Sequence, residues 1–467
     1  MPAACCASMP NTGASTSTAT CNGAADAWSA SGRRAVATWW TWTSGSRTKT
    51  VSSPHPAPPQ WNSPAGTRRH PELRRSGAKM IIPREPVTED GITRLRQRLE
   101  SDIPLTPFNT TASLDAIRRF VKGIGDPNPL WTDLSYGEQS HYGTVLAPPS
   151  FLMSVVTPTG LLAGGLPGVH SMLVEQRWLW YRPVRLDDRI HPSARLTDVQ
   201  VGRNRRGKPT VLQTVHVQYR NQWDQLVAEA WGSSLRFRRP GPDDPYLYEL
   251  DPATQQYSPD QLKAFEDEAL QQAPRGKHIL YWEDVEPGEE IPAVLKGPLS
   301  FGDVEAFMAG TYPVEALHRQ AAYARRHPAG TYRDETNYPQ PLWHVLFRDE
   351  LAQQMGFPRA HDAGGQRASW VIQMLTHWMG DDGQLVSLSL RFTRPNFHGD
   401  VTWCRGVVEA KERTDQGEAL VRCRVWCQNQ RGERTAEGEA QVRLLSRSVE
   451  LWGRALREAE KAQSGAG

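Results

Sequence analysis

The sequence lacks long apolar runs, and this absence limits the class of protein. No stretch of about 18 consecutive apolar residues occurs in the 467 residues, so we expect no membrane-spanning helix. With 38% hydrophobic and 22% charged residues, the composition is that of a globular protein. The chain is too long for one ordinary core, which indicates two or three domains.

Cysteine is also scarce. The six cysteines fall into an N-terminal and a C-terminal set: Cys5, Cys6, Cys21, Cys404, Cys423 and Cys427. They are too few and too scattered for a disulfide framework or a zinc site, so we expect no metal. Cys423 and Cys427 are four residues apart, so in a strand they share one face and fit a packed core. A reducing, cytoplasmic compartment fits best.

Acidic residues are nearly absent from residues 1–79, which contain nine Lys or Arg against Asp26 and Glu72. The whole chain has a formal net charge of +3, so the rest is mildly acidic. A mildly acidic folded region lacks the net positive charge that is typical of nucleic-acid-binding domains. We therefore expect neither a nucleic-acid nor a membrane partner.

Residues 1–79 also lack the apolar periodicity of a strand (2 residues) or a helix (3.6 residues), and they are rich in Ser, Thr, Ala, Gly and Pro. We expect this segment to be disordered. Its Arg and Ser content is superficially that of an organelle transit peptide, but we favour an extension upstream of a start at Met80, where the first protein-like sequence begins. An apolar region of ~7–15 residues is missing, which argues against a secretory signal.

A polar turn follows the second predicted helix. Asp126 and Asn128 alternate with Pro127 and Pro129, so the chain turns sharply and holds two polar side chains in fixed directions. Such a loop either forms a functional site or only makes an Asx-turn.

The first half, residues 80–239, reads as helices followed by strands. Apolar spacing predicts helices over 89–100 and 113–123, and the apolar stretch 149–156 after Pro148 predicts a buried helix. Turn signals separate four predicted strands, at 169–181, 188–201, 210–222 and 225–237.

The second half, residues 276–447, repeats this order after a proline-rich linker, 240–275. A helix begins at Ser300, and an apolar helix spans 370–378. Strands are predicted at 385–394, 401–413, 418–429 and 433–445, before a C-terminal helix or tail at 448–467. Arg182-Pro183 with Asp188 recurs 212 residues later as Arg394-Pro395 with Asp400, which indicates two halves of one architecture.

These motifs together resemble a known family. They include Gly125-Asp126-Pro127-Asn128-Pro129-Leu130, Ala147-Pro148-Pro149, Tyr181-Arg182-Pro183 and Gln366-Arg367-Ala368. The sequence is similar to the MaoC-like acyl dehydratases over about residues 85–447, with a first half similar to the fatty-acid-synthase-type dehydratase domain. The resemblance implies an α+β double hotdog fold, in which two antiparallel sheets each wrap round a buried helix.

The family chemistry implied is reversible addition of water across the 2,3-double bond of an acyl thioester, carried on coenzyme A or acyl carrier protein. It needs a carboxylate with an imidazole, and backbone N–H groups at the buried helix's N-terminus. It implies no metal or redox cofactor. Asp126 and Asn128 match the family loop, but Trp131 stands where the family has His, so the other half is expected to carry the chemistry.

The second half offers several candidates for these roles. His344 and His318 are the candidate imidazoles, although each alone also fits a structural role, and Asp126 or Asp362 is the candidate carboxylate. The resemblance places the substrate-binding groups at Trp131, Pro148, Pro149, Asp362, Gly364 and Gly365.

Two other functions are also considered. A non-catalytic subunit that binds an acyl thioester or a partner hydratase fits Trp131 and the missing Asp-to-His pair. A hotdog thioesterase needs a carboxylate on the buried helix, and 149–156 has none. A homodimer is a possible assembly.

Overall fold

The computed structural model describes residues 80–204, 206–312, 317–415 and 417–448. One compact unit, residues 68–201 and 209–467, contains both halves of the repeat. The other unit includes the tip of a hairpin, 202–208, which the Asn204 N–H closes by donating to the Lys208 carbonyl at 2.9 Å. Predictions for residues 1–79 and 449–467 lie outside the described residues.

Each half contains a helix that a serine caps. Ser113 Oγ accepts the Ala116 N–H at the start of one, and Ser300 forms a capping box with Asp303 at the start of another. The helices are α1 Glu89–Arg96, α2 Leu114–Ile124, α3 Leu134–Gln139, α4 Leu152–Val155, α5 Pro259–Gln271, α6 Phe301–Thr311, α7 Leu317–Arg326, α8 Asp349–Gln354 and α9 Gly364–Met379.

The strands of both halves form one nine-stranded sheet in the order β4-β5-β6-β2-β10-β13-β12-β11-β7. From β5 across to β7 every neighbouring pair runs antiparallel. The strands are β1 Leu146–Ala147, β2 His170–Trp180, β3 Val184–Arg185, β4 His191–Arg203, β5 Pro209–Arg220, β6 Leu226–Phe237, β7 Glu290–Lys296, β8 Thr331–Arg333, β9 Pro339–Pro341, β10 Gln384–Phe392, β11 Thr402–Arg413, β12 Ala419–Asn429 and β13 Arg434–Arg443.

The two halves join where β2 pairs with β10. Leu179 pairs with Ser387 and Glu175 with Arg391, so the sheet continues from one half into the other. The predicted α+β double hotdog fold is confirmed, with the two expected sheets merged into one.

The second half contains a long central helix. In α9, 16 residues long, every residue from Gly365 to Met379 is buried. A helix that is apolar nearly all round needs such a cover, and the sheet supplies it.

The first half does not contain an equivalent long helix, although the buried helix predicted over 149–156 is present as far as Val155. A 3-10 turn, Pro149–Phe151, leads into α4, which ends at Val155. The chain then crosses β6 so closely that a Cβ on Gly232 would lie 2.3 Å from the Pro158 backbone. Pro158 has no N–H to extend the helix, which explains the early end.

Several elements were missed by the sequence reading, among them α7, α8, β8 and β9. The linker contains α5, which begins at a Ser258 capping box and buries none of its residues. β7, at the edge of the sheet, falls in a region where no strand was predicted.

The C-terminal cysteines lie in the core, as predicted. Cys404, Cys423 and Cys427 are fully buried, and the sulfur atoms of Cys404 and Cys427 are 3.7 Å apart. In the described part of the chain, no helix is both long and apolar enough to span a membrane.

Candidate functional site

The loop after α2 is shaped by side chains that accept from its own backbone. Gly125 ends α2 in the left-handed region, at φ +64°. Asp126 Oδ1 accepts the Asn128 N–H, and Asn128 Oδ1 accepts the Leu130 N–H, each at 3.0 Å. The loop is therefore a pair of Asx-turns.

The Asp126 carboxylate also receives two donors from aromatic rings. Trp131 Nε1 donates to Oδ2 at 3.0 Å, and His377 Nε2 lies 2.8 Å from Oδ1. The Asp126 side chain is 1% exposed and that of His377 7%. Trp131 thus fills the family's His position as a hydrogen-bond donor, while an imidazole comes from the last turn of α9.

Sequence reasoning missed His377, which lies 251 residues from Asp126. A histidine on an apolar helix carries no local motif. The internal repeat predicts that the halves meet, but not which side chains touch.

Other groups from the second half hold the same loop. Lys296 Nζ, on β7, donates to the carbonyls of Ile124 and Gly125 at 2.8 and 2.9 Å. Gln373 Nε2 donates to the Gly125 carbonyl at 3.1 Å. Burial lowers the pKa of Lys296 to about 8, although the Asp126 charge opposes this shift.

The cavity beside this loop is small. It has a volume of about 70 Å³, and Asn128, Trp131 and Pro149 are among the residues that line it, whereas Pro148 is not. A water occupies about 30 Å³ of liquid, so this space suits a few waters and not an acyl chain.

A much larger cavity, about 740 Å³, lies at the other end of α9. Gly364 lines it, together with β2, α7 and the 3-10 turn Leu342–Leu346. Gly364 and His377 are about 20 Å apart along the helix at 1.5 Å per residue. The large cavity and the Asp126 loop are therefore separate sites.

The start of α9 presents unused donors. Ala363 is the N-cap and provides no side-chain bond, while its carbonyl accepts the Gln366 and Arg367 N–H groups. Among the described residues, the N–H groups of Gly364 and Gly365 have no acceptor. Such a helix start favours a negatively charged oxygen.

His361 and Asp362 line the cavity just before α9, but their side chains do not pair. His361 Nδ1 lies 2.8 Å from the Asp362 carbonyl, which can only accept, so Nδ1 carries the proton. His361 Nε2 is then an acceptor, and it has no partner in the described part of the chain. Burial lowers the pKa of His361 to about 4, so the ring is neutral at pH 7.

The Asp362 carboxylate is committed elsewhere. It pairs with Arg367 at 2.6 Å and accepts the Asn396 N–H at 3.1 Å. Burial raises its pKa to about 6 against the effect of Arg367.

The two histidines favoured from sequence lie at different places. His344 is in the 3-10 turn; Trp343 and Val345 line the cavity, whereas His344 does not. Burial lowers the pKa of His344 to about 4. His318 is at the start of α7, where its side chain lies outside the described residues, and a later turn of α7 lines the cavity.

Comparison with known proteins places the chain in a family. A model described as "FAS1-like, dehydratase domain region" matches residues 103–230. A UPF0336 protein of Parafrankia sp. (strain EAN1pec) is 31% identical over 127 residues, covering 26% of this chain and 78% of the relative. A UPF0336 protein of Streptomyces avermitilis is 30% identical over 105 residues, covering 21% of this chain and 67% of the relative.

The chain belongs to the family of these UPF0336 proteins. A solved MaoC-like dehydratase aligns with a TM-score of 0.52 and 14% identity over 75% of this chain and 100% of its own, which shows the shared fold. The region that the dehydratase model matches covers part of the first half, including the Asp126 loop. In the described residues no group of His, Cys, Asp or Glu is arranged to hold a metal ion.

Proposed function

We propose that the protein catalyses reversible hydration of a 2-enoyl thioester to a 3-hydroxyacyl thioester in the cavity of about 740 Å³. The carrier is coenzyme A or acyl carrier protein. The observation that carries this proposal is the start of α9, where the Gly364 and Gly365 N–H groups have no acceptor among the described residues.

The helix start matches the charge that develops in this reaction. When water adds at C3 of an enoyl thioester, negative charge develops on the thioester oxygen. Two backbone N–H groups and the helix dipole stabilise such an oxyanion without having to reorganise. The cavity volume lies in the range of about 300–1,000 Å³ that is typical of small-molecule sites.

The proton in this scheme moves through His361. Its neutral ring has an unprotonated Nε2 and its Nδ1–H fixed on the Asp362 carbonyl. Such a ring can accept a proton from water and return it to C2 of the substrate. A base held by the neighbouring Asp362 carbonyl does not need the Asp-to-His loop that Trp131 interrupts.

A panel of 2-enoyl-CoA esters of different chain lengths tests the proposal. The purified protein should convert at least one ester to a product heavier by one water, detected by mass spectrometry. If every ester is recovered unchanged, the enzyme proposal fails.

Two histidine variants then test the role of His361. His361→Gln should lower kcat by about 100-fold, since a general base contributes about 10²–10⁴-fold. His344→Gln, a matched change outside the cavity wall, should leave kcat within about threefold. The reverse result would return the role to His344.

One observation favours a second function, that of a non-catalytic subunit that binds an acyl thioester. In the described cavity wall no carboxylate pairs with an imidazole, because Asp362 is held by Arg367. This function is supported if enoyl-CoA raises the unfolding temperature while no ester is converted.

A further inference from the structure

The wall of the large cavity is strongly basic. It includes Arg236, Arg239, Arg326, Arg367 and Arg394, against the single carboxylate of Asp362. Arg367 pairs with Asp362, and Arg394 pairs with Glu433. Of the other three, Arg326 is exposed at the end of α7, whereas Arg236 and Arg239 are buried on and just after β6.

Arg236 is buried without a counter-ion. It is 2% exposed, and all of its donors go to neutral acceptors, so it offers an anion its charge but no spare N–H. The acceptors are the His170 carbonyl, Gln213 Oε1 and the Leu166 carbonyl at 3.1 Å, and the Gly164 and Gly165 carbonyls at 3.4 Å. No carboxylate of the described residues lies within ion-pair distance. Burial lowers its pKa to about 10, so it is still charged at pH 7.

Arg239 shows the same pattern and has a spare donor. It is 6% exposed, and its Nη atoms donate to the carbonyls of Pro83, Val169 and Ala329 at 2.6, 3.3 and 3.1 Å. Its Nε has no acceptor within the described chain, and no carboxylate there pairs with it. A buried cation without a counter-ion is costly, so an anion bound here would be strongly favoured.

His170 adds a third group to this cluster. It lines the same cavity, is 5% exposed, and its Nε2 has no partner among the described residues. Burial and the positive charges of Arg239 and Arg236 lower its pKa to about 3. The charges of both arginines are therefore felt at His170. An anion bound beside this residue would reduce the repulsion between the two guanidinium groups.

We propose that His170, Arg236 and Arg239 form a binding subsite for a carboxylate on the acyl chain of the substrate. The substrate class is then an enoyl thioester with a second, terminal carboxylate. This inference rests on the proposed thioester function for its substrate, but the anion subsite itself stands on the unpaired arginines.

The burial of the arginines favours an acyl carboxylate over a carrier phosphate. With exposures of 2% and 6%, both guanidinium groups lie in the interior of the wall. A carboxylate at the end of a short acyl chain can reach this depth inside about 740 Å³, whereas a nucleotide carries its phosphates on a bulky body.

Four thioesters distinguish binding of an acyl carboxylate from binding of a carrier phosphate. An enoyl chain that ends in a carboxylate and one of equal length that ends in a methyl group are each made on coenzyme A and on N-acetylcysteamine, which has no phosphate. On both carriers the wild type should show a KM at least about tenfold lower for the carboxylate chain, because a charge-assisted hydrogen bond contributes about that much.

Arg239→Met should remove this preference, raising the KM for the carboxylate chain about 10- to 100-fold with little change in kcat. Arg238→Met is the matched control, because Arg238 is exposed and pairs with Asp244. Arg239→Lys, which keeps the charge, should restore part of the preference. For each variant the KM values for the two acyl chains are compared with each other. A variant that is partly unfolded therefore does not distort the ratio.

Two results would overturn the assignment. Equal KM values for the two chains in the wild type would remove the carboxylate subsite while leaving the hydratase function in place. If Arg239→Met raises the KM of both coenzyme A esters and of neither N-acetylcysteamine ester, the subsite binds a carrier phosphate.

A binding measurement covers the case in which no thioester is converted. Succinate should then raise the unfolding temperature of the wild type and of Arg238→Met, but not of Arg239→Met. That result keeps the anion subsite although the hydratase function fails. If succinate does not stabilise the wild type, the subsite fails too.

Discussion

Asp126 is held by donors from both halves of the chain. Its carboxylate accepts from the Asn128 N–H, from Trp131 Nε1 and from the His377 ring, and it is buried. A carboxylate with its lone pairs committed in this way fixes the loop and the end of α9. At this residue the structure supports a positioning role.

Asp126→Ala should lower the free energy of unfolding by about 2–4 kcal/mol, because three buried donors lose their acceptor. Urea denaturation measures the loss. Asp90→Ala is the control, since the Asp90 side chain is 75% exposed, and it should change stability by less than about 0.5 kcal/mol. If Asp126→Ala matches this control, the carboxylate does not hold the loop.

Lys296 predicts a pH dependence of stability. Its pKa is 10.5 as a free side chain and about 8 in the folded protein, because of burial. Between these values the unfolded chain binds a proton that the folded chain does not, so the unfolding free energy rises with pH from about 8 to 10.5. Below about pH 8 the cost of the buried charge is fully present.

Lys296→Met should remove this rise, which urea titrations at several pH values would detect as a change in the wild-type minus variant difference. Lys122→Met, on the exposed side of α2, is the control and should keep the wild-type dependence. A difference that stays flat from pH 8 to 10.5 would contradict the assignment.

At the scale of elements, α4 and α9 differ in length and in the size of the cavity that lies beside each. α4 ends at Val155, while α9 runs on to Met379. A cavity of about 70 Å³ lies beside Pro149, and one of about 740 Å³ lies at the start of α9.

The start of α9 permits a sharp test. Gly364→Pro deletes one N–H at the first helical position, where proline fits, and Ala363 at φ −91°, ψ 138° suits the residue before a proline. Gly364→Ala keeps the N–H but adds the Cβ, which meets Leu173 Cδ2 at 2.9 Å. If the N–H polarises the thioester, kcat should be about 10²–10³-fold lower in Gly364→Pro than in Gly364→Ala.

Equal kcat values in the two variants would show that the Gly364 N–H takes no part. Circular dichroism of both variants checks that α9 is retained.

At the scale of the whole molecule, the β2–β10 pairing makes the halves depend on each other. In residues 80–239 alone, β2 would become an edge strand along the positions from Glu175 to Leu179. An exposed, long edge strand pairs readily with other chains.

The fragment 80–239 should therefore self-associate in size-exclusion chromatography and lack a cooperative unfolding transition. The chain 80–448 at the same concentration is the control and should unfold cooperatively. A fragment that is monomeric and unfolds sharply would show that the first half is independent.

Much of the fold was predictable because it depends on local patterns. Alternation and turn signals located β2, β4, β5 and β6 to within a few residues, and Ser113 and Ser300 were read correctly as helix starts. The course of the chain after α4 was not predictable, because its close approach to Gly232 in β6 is a tertiary contact.

The sequence alone determined the double hotdog fold and the likeness of the first half to a dehydratase domain, because motifs and periodicity are written in neighbouring residues. Only the tertiary structure decided that His377 contacts Asp126, that Trp131 closes the small cavity, and that two arginines without a counter-ion line the large one. These facts depend on side chains brought together from distant parts of the chain. No local pattern encodes such a distance.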